Sequence, residues 1–308
     1  MMNIVLIGRT KVLAAIGREC IDRAEKVVAI VTASESAETK NDFFEIENFA
    51  RLHEIPIFSS PNLGVILRQL RELGPIDIGL SVNYVSVLSK DQIDVFRLGV
   101  LNAHGGDLPR YRGNACQAWA ILNGERSIAL CIHQMVGGSL DSGDIIAREY
   151  FSLSEQTYIG DVYNWMSSRI PELMLYSAQK LNTDSSFCVE KQSVDPSDSL
   201  RTYPRLPEDG RIVWRSSTVE ILRLIRASSL PFSGAFAMLG DARITIWKAN
   251  EVRLHPFNSV PGQILGIGND WFDVSVDDGS SAIRVTHATL DSGEDWKDAI
   301  KSIRTRLR

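Results

Sequence analysis

The stretch "NIVLIGRTKVLAAIGRECIDRAEKVVAIVTAS", residues 3–34, sets the architecture. NIVLIG (3–8) is an apolar run of strand length, and KVVAIVTAS (26–34) is a second one rich in valine and isoleucine. Between them, KVLAAIGRECIDRA (11–24) repeats its apolar positions at helical spacing. Two strands hydrophobic on both faces, joined by an amphipathic helix, spell a βαβ unit of a buried parallel sheet. The alternation continues downstream. A polar loop at 35–43 precedes a helix in DFFEIENFARLHEI (42–55), a short strand in IPIFSS (55–60) and a helix in NLGVILRQLRELG (62–74). DIGLSVNY (77–84) is a strand, SKDQIDVFR (89–97) a short helix capped by Ser89, and GVLNAHG (99–105) a strand. The expected fold is α/β, a Rossmann-like doubly wound sheet. Ligands of such sheets bind beyond the carboxyl ends of the strands. The stretches NYVSVL (83–88) and NAHGG (102–106) stand at such ends.

Further along come a helix in NACQAWAILNGE (114–125), strands in SIALCIHQM (127–135) and DIIAREYFSL (144–153), and a long helix over about 157–181. Its Val162, Trp165, Met166, Ile170, Leu173 and Met174 recur at helical spacing and read as core. The Ser-, Asp- and Pro-rich stretch 183–210 changes character and reads as a connection. After a helix in STVEILRLIRAS (217–228), the short apolar runs GAFAML, ARITIWKANEV, PGQILGIG, WFDVSVDD and AIRVTHATL suggest a small β-barrel. DWKDAIKSIRTRLR (295–308) reads as a final helix. The resulting division is a catalytic domain over 1–190, a linker over 191–210, and a smaller C-terminal OB-like β-barrel domain over 211–308.

Composition narrows the function. The chain has 308 residues, 44% hydrophobic and 23% charged, with a net charge of −5. Residues 201–308 carry 15 Lys and Arg against 13 Asp and Glu, a net of +2. Neither value suits a protein that must neutralise many phosphates, so nucleic acid is not the expected partner. Cys20, Cys116, Cys131 and Cys188 lie far apart and in no metal-ligating spacing. No apolar run is of membrane-spanning length, and the opening residues read as strand and helix instead of a signal peptide. A reduced, cytoplasmic setting follows as the expectation.

Four places carry candidate chemistry. LIGRTKVLAA (6–15) lacks the glycines of a dinucleotide fingerprint, yet Arg9, Thr10 and Lys11 at a helix start suit an anion. Asn102 and His104 are two apart on a strand and so point to one side. An amide donor beside a group that takes and returns protons near neutrality suits a reaction through an oxyanion. In HQMVGGSLDSGDII (133–146), Asp141 and Asp144 flank Gly143, and a carboxylate there would orient a neighbouring imidazole. A simple Asp-Gly turn is the competing reading. In PRYRGNACQAW (109–119), Arg112 offers an anion contact. The aspartates lack companion ligands, so no metal is expected.

These elements, taken in order, resemble the folate-dependent formyltransferases: Asn102 and His104, LPRYRG (108–113), Trp119 with NGE (123–125), His133 with Met135, and Asp141 with Gly143. RLPEDGRIVW (205–214), LIRASSLPFSGAFA (224–237) and PGQIL (261–265) look like the linker and barrel of the methionyl-tRNA and sugar formyltransferases. The resemblance implies N10-formyltetrahydrofolate as co-substrate and a primary amine as acceptor. It assigns catalysis to Asn102, His104 and Asp141. It assigns folate contacts to Tyr84, Ser86, Val87 and Leu88, and to Gly138 and Asp144 in the Asp141 loop. Two departures stand out: Gly105, Gly106 and Asp107 follow His104 where many relatives have Pro-Ser-Leu, and the loop before Asp141 is one residue longer than in some relatives. Asp144 is therefore the alternative acid. By charge and wording the chain is closest to nucleotide-sugar N-formyltransferases, with Arg9, Thr10, Lys11 and Arg112 toward the nucleotide. Such enzymes serve surface polysaccharide (O-antigen) assembly, and a homodimer is expected by the same resemblance. Methionyl-tRNA formyltransferase and formyltetrahydrofolate hydrolase are the alternative readings.

Overall fold

The computed structural model describes residues 1–33, 40–193 and 195–308. It opens with β1 (Asn3–Gly8), α1 (Val12–Asp22), β2 (Lys26–Thr32), α2 (Lys40–Leu52), β3 (Ile57–Ser59), α3 (Leu67–Glu72), β4 (Ile78–Val82), α4 (Lys90–Ile93) and β5 (Val100–His104). Of the loop expected at 35–43, residues 35–39 lie outside the described residues, and from Lys40 the chain is already helical. After β5 come β6 (Tyr111–Gly113), α5 (Cys116–Asn123), β7 (Ser127–Gln134), β8 (Ile145–Ser152), α6 (Ile159–Thr183) and β9 (Leu200–Thr202). Seven strands form one sheet in the order β3-β2-β1-β4-β5-β7-β8. The pairs from β3 to β5 are all parallel, while β5 and β7 are antiparallel.

The alternation within β1 explains why this sheet is covered on both faces. Val5 and Ile7 belong to a core with Leu63, Leu70, Phe96 and Val100. Leu6 points the other way, to α1, where Gly17 leaves room for Phe49: a Cβ on Gly17 would sit 2.4 Å from the Phe49 ring. Ile4, Val5, Leu6 and Ile7 are all completely buried. The order reverses direction between β1 and β4, the place where doubly wound sheets open a crevice at their carboxyl edge. There Gly8 approaches β4 so closely that a Cβ would lie 2.2 Å from the Val82 carbonyl oxygen.

By spatial clustering the chain forms two units that interleave in sequence. The first comprises 1–113, 128–151 and 164–202; the second comprises 114–127, 152–163 and 203–308. Segments 114–127 and 152–163, which a linear reading assigns to the first domain, thus cluster with the C-terminal residues. The stretch read as a linker also contributes β9, which pairs in parallel with β6.

The second unit adds α7 (Thr218–Ser228), β10 (Ala235–Leu239), β11 (Ala242–Val252), β12 (Ile264–Ile267), β13 (Phe272–Val276), β14 (Ser281–Leu290) and α8 (Trp296–Ala299). Its five strands form an antiparallel sheet in the order β10-β11-β14-β13-β12. The final helix expected over 295–308 is confined to α8. Residues 305–308 are instead extended and bond to both sheet edges. Arg308 exchanges two backbone hydrogen bonds with Met238 of β10, at 2.7 and 2.9 Å, while Leu307 N donates to Gly262 O and Ile264 N to Thr305 O. The physical reason is that two open edges offer unpaired N–H and C=O groups, and an extended segment satisfies both where a helix would satisfy neither. The result is a barrel-like domain. Among the described residues no helix is long and apolar enough to cross a membrane.

Candidate active site

β5 ends in the pair Asn102 and His104, and its antiparallel neighbour β7 sets His133 opposite Asn102 and Cys131 opposite His104. The Asn102 Nδ2–H lies 3.3 Å from His133 Nε2. His133 Nδ1 is 2.9 Å from the Gln134 carbonyl oxygen. A carbonyl only accepts, so Nδ1 carries the hydrogen, and in the neutral ring Nε2 is left to accept from Asn102. This fixes the amide's orientation. Its second N–H has no partner among the described residues.

The loop between β7 and β8 returns to the same face. It closes with Gln134 N donating to Asp144 O at 2.9 Å. Gly143 is required there, because a Cβ would stand 2.0 Å from the Gln134 carbonyl oxygen. Asp141 sits in the left-handed region, at φ 48°. Its Oδ2 lies 3.6 Å from His104 Nδ1 and its Oδ1 lies 3.6 Å from His133 Nε2. The Gly113 N–H donates to Oδ2 at 2.9 Å. On the other side of the ring, His104 Nε2 is 2.6 Å from the Tyr111 carbonyl oxygen, which makes Nε2 the hydrogen-bearing nitrogen. Nδ1 is then the basic atom of the neutral imidazole and faces the carboxylate.

Electrostatics agree with this arrangement. Burial by itself raises the Asp141 carboxyl, but the attraction of His104 and the hydrogen bond and charge of His133, each acting when its ring is protonated, outweigh it together with the Gly113 N–H and draw the group down to about 2. Asp141 is thus an anion beside an imidazole. Cys131, although opposite His104, is no nucleophile: burial pushes its thiol up to about 11.

The loop after β4 adjoins this one. Gly138 N donates to Leu88 O at 2.9 Å, with Gly138 at φ 74°. Gly137 lies against Lys90, where a Cβ would approach the Lys90 nitrogen to 2.4 Å. Tyr84 Oη donates to Ser60 O at 2.8 Å, and burial moves its phenol up to about 12, so it stays neutral. Ser86 Oγ donates to Pro61 O. Leu88 is buried, whereas Val85, Val87 and Val136 stand exposed on the two joined loops. At the end of β1, Arg9 and Lys11 are exposed, and the buried Thr10 hydroxyl oxygen has no partner among the described residues. The first turn of α1 holds no acidic side chain, which leaves its positive end uncompensated.

The chain is similar to known proteins along most of its length. The model described as "Formyl transferase" matches residues 2–176, and "Formyl transferase, C-terminal domain" matches 206–303. The chain belongs to the formyl transferase family. A curated relative of this formyl transferase, the bifunctional polymyxin resistance protein ArnA of Wigglesworthia glossinidia brevipalpis, is 30% identical over 258 residues, 81% of this chain and 38% of that protein. The chain therefore spans well under half the length of that relative. Among solved structures, the Helicobacter canadensis N-formyltransferase, in complex with folinic acid and dTDP-3-aminofucose, has a TM-score of 0.67 at 18% identity, covering 93% of this chain and all of that one. WlaRD, a sugar 3N-formyl transferase solved in the presence of dTDP and 5-N-formyl-THF, scores 0.65 at 17% identity, covering 92% and 97%. HypX from Aquifex aeolicus with tetrahydrofolic acid scores 0.64 at 17% identity, covering 94% of this chain and 44% of that one. These structures establish the shared fold.

Of the sequence-predicted residues, the structure gathers Asn102, His104 and Asp141 at one spot. Asp144 contributes its backbone carbonyl to the loop closure. Arg112 is engaged elsewhere in the unit: its Nη2 donates to Gln192 Oε1 at 2.8 Å and to Ser193 O at 3.3 Å. Sequence reasoning gave no role to His133, to the Tyr111 carbonyl or to Gln192. His133 stands with Met135 among the elements of the family resemblance, but its place opposite Asn102 is set by the strand register; nothing in the spacing points to Gln192.

Proposed function

We propose that this formyl transferase moves the formyl group of N10-formyltetrahydrofolate to the primary amine of a nucleotide-linked amino sugar. The observation that carries the reading is His104, held by the Tyr111 carbonyl through Nε2 and facing the Asp141 anion through Nδ1. A neutral amine forms its N–C bond to the formyl carbon, and the bond from that carbon to the folate nitrogen breaks. The amine gives up a proton in doing so, and the departing nitrogen gains one. His104 Nδ1 is the atom suited to take the proton and return it, since the Asp141 carboxylate stabilises the imidazolium. Asn102, oriented by His133, has a second N–H for the formyl oxygen as negative charge develops there.

The co-substrate fits the two joined loops. Exposed Val85, Val87 and Val136 offer apolar surface to a flat ring, and Tyr84, whose phenol stays neutral, belongs to the same walls with Ser86, Leu88, Gly138 and Asp144. For the nucleotide, Arg9 and Lys11 flank the uncompensated start of α1, with the Thr10 hydroxyl between them, a setting suited to a pyrophosphate. The charge balance supports a sugar acceptor over tRNA, and two structural neighbours were solved with dTDP or a dTDP-amino sugar together with a formyl-folate.

The test mixes the protein with N10-formyltetrahydrofolate and a panel of dTDP-, UDP- and GDP-linked amino sugars and follows tetrahydrofolate release. Turnover with a sugar is expected, reduced about 100-fold or more by His104→Ala. Activity on charged initiator tRNA with none on any sugar would reverse the assignment. Release without an acceptor would mark a hydrolase.

A further inference from the structure

Gln192 lies beyond the residues matched by the catalytic family model and before those matched by the C-terminal one. It nevertheless reaches the loop that carries Asp141. The side chain is buried, 8% exposed. Its Nε2 donates to the Asp141 carbonyl at 3.0 Å and to the Gly143 carbonyl at 2.6 Å. Its Oε1 accepts from Arg112 Nη2 at 2.8 Å. Both amide hydrogens and the amide oxygen are thereby engaged.

The loop needs such a hold. Asp141 occupies a left-handed backbone conformation, which a non-glycine residue keeps where the surroundings impose it. Two adjacent residues of β6 provide the anchorage. Gly113 N holds the Asp141 carboxylate directly, and Arg112 holds the Asp141 carbonyl through Gln192. β6 is itself pinned by β9, where Thr202 Oγ1 donates to Arg112 O at 3.1 Å. The titratable groups facing the carboxylate are His104 from β5 and His133 from β7; Arg112 reaches the loop through Gln192.

We infer that Gln192 is a positioning residue: with Arg112 it clamps the Asp141 loop to β6, so that the carboxylate stands against His104 and His133. Resting on the proposed roles of His104 and Asp141, this gives Arg112 a place in the clamp instead of on the substrate. Gln192 acts through Asp141 and touches neither reacting group.

The test uses the full chain and four forms: wild type, Gln192→Met, Asp141→Asn and the double variant. Gln192→Met preserves length and removes every hydrogen bond. It should lower kcat about 10- to 100-fold and leave KM for both substrates within about threefold. In the Asp141→Asn background the same change should alter kcat less than about twofold, because the group being positioned is already lost. An equal loss in both backgrounds overturns the inference. A second readout needs no substrate. Exchange of the Gly113 amide hydrogen, held by Asp141, should quicken at least about tenfold in Gln192→Met, while Leu101 and Ala103 of β5 keep their protection. Unchanged Gly113 protection also overturns it. If Gln192→Met does not fold, Arg112→Met releases the clamp from its other end and must give the same exchange signature. Quickened Gly113 exchange in a protein that formylates no amine would sink the functional reading and leave the clamp standing.

Discussion

At the residue scale, the site is three side chains held by backbone. The Tyr111 carbonyl decides which nitrogen of His104 bears hydrogen, and the Gly113 amide helps decide where Asp141 points. Gly106 is the companion of this arrangement, since a Cβ there would fall 2.6 Å from His104 Nε2 and 2.5 Å from the Tyr111 oxygen. The unusual glycine after the histidine motif thus has a steric cause. The acidity of Asp141 gives a stability prediction. Its folded-state value of about 2 lies below the ordinary 3.8, so its contribution is present above about pH 4 and is lost as pH falls toward 2. The difference corresponds to about 2 kcal/mol. Urea unfolding of Asp141→Asn should show that deficit at pH 5, shrinking toward zero near pH 2. A wild type and variant that run parallel across this range would contradict the assigned environment. A strand's two-residue period put Asn102 and His104 on one side, and the ordered elements of the family resemblance made the pair a candidate site. Asp141 was legible through the family resemblance, and the coordinates bring its carboxylate within 3.6 Å of both histidines.

At the scale of elements, the carboxyl edge of the sheet assembles the site from segments distant in sequence. The turn after β1, the loop after β4 and the end of β5 were each recognisable, because parallel strands buried on both faces have an unmistakable apolar signature. The segment 295–308 was not. KDAIKSIRTRL alternates charge and apolar residues in a way that satisfies a helix, and the two open edges of the C-terminal sheet override that preference. Leu307, 1% exposed, is the anchor of this closure. Leu307→Ala should lower the free energy of unfolding by about 2–5 kcal/mol in urea titrations. A loss below about 0.5 kcal/mol would mean that residues 305–308 do not close the sheet.

At the scale of the molecule, each of the two units gathers segments that are separate in sequence. α5 packs on α7 within the second unit, and Tyr158 packs against that unit's core while Tyr163 meets Phe232 edge-on at 5.6 Å. A fragment of residues 203–308 therefore lacks part of its own unit. It should unfold without a cooperative thermal transition and be cut rapidly by protease, whereas the full chain should melt cooperatively. A fragment as stable as the intact protein would show that 114–127 and 152–163 are dispensable to it.

The sequence by itself determined the α/β architecture, the presence of a second β domain and the Asn102–His104 pair, because these rest on local periodicity and on spacing within one strand. Only the tertiary structure decided the partners: His133 across the strand, Gln192 and Arg112 behind the Asp141 loop, and residues 305–308 along the barrel edges. Each of these contacts joins positions far apart in the chain, where the deciding quantity is a distance in space and no local pattern encodes it.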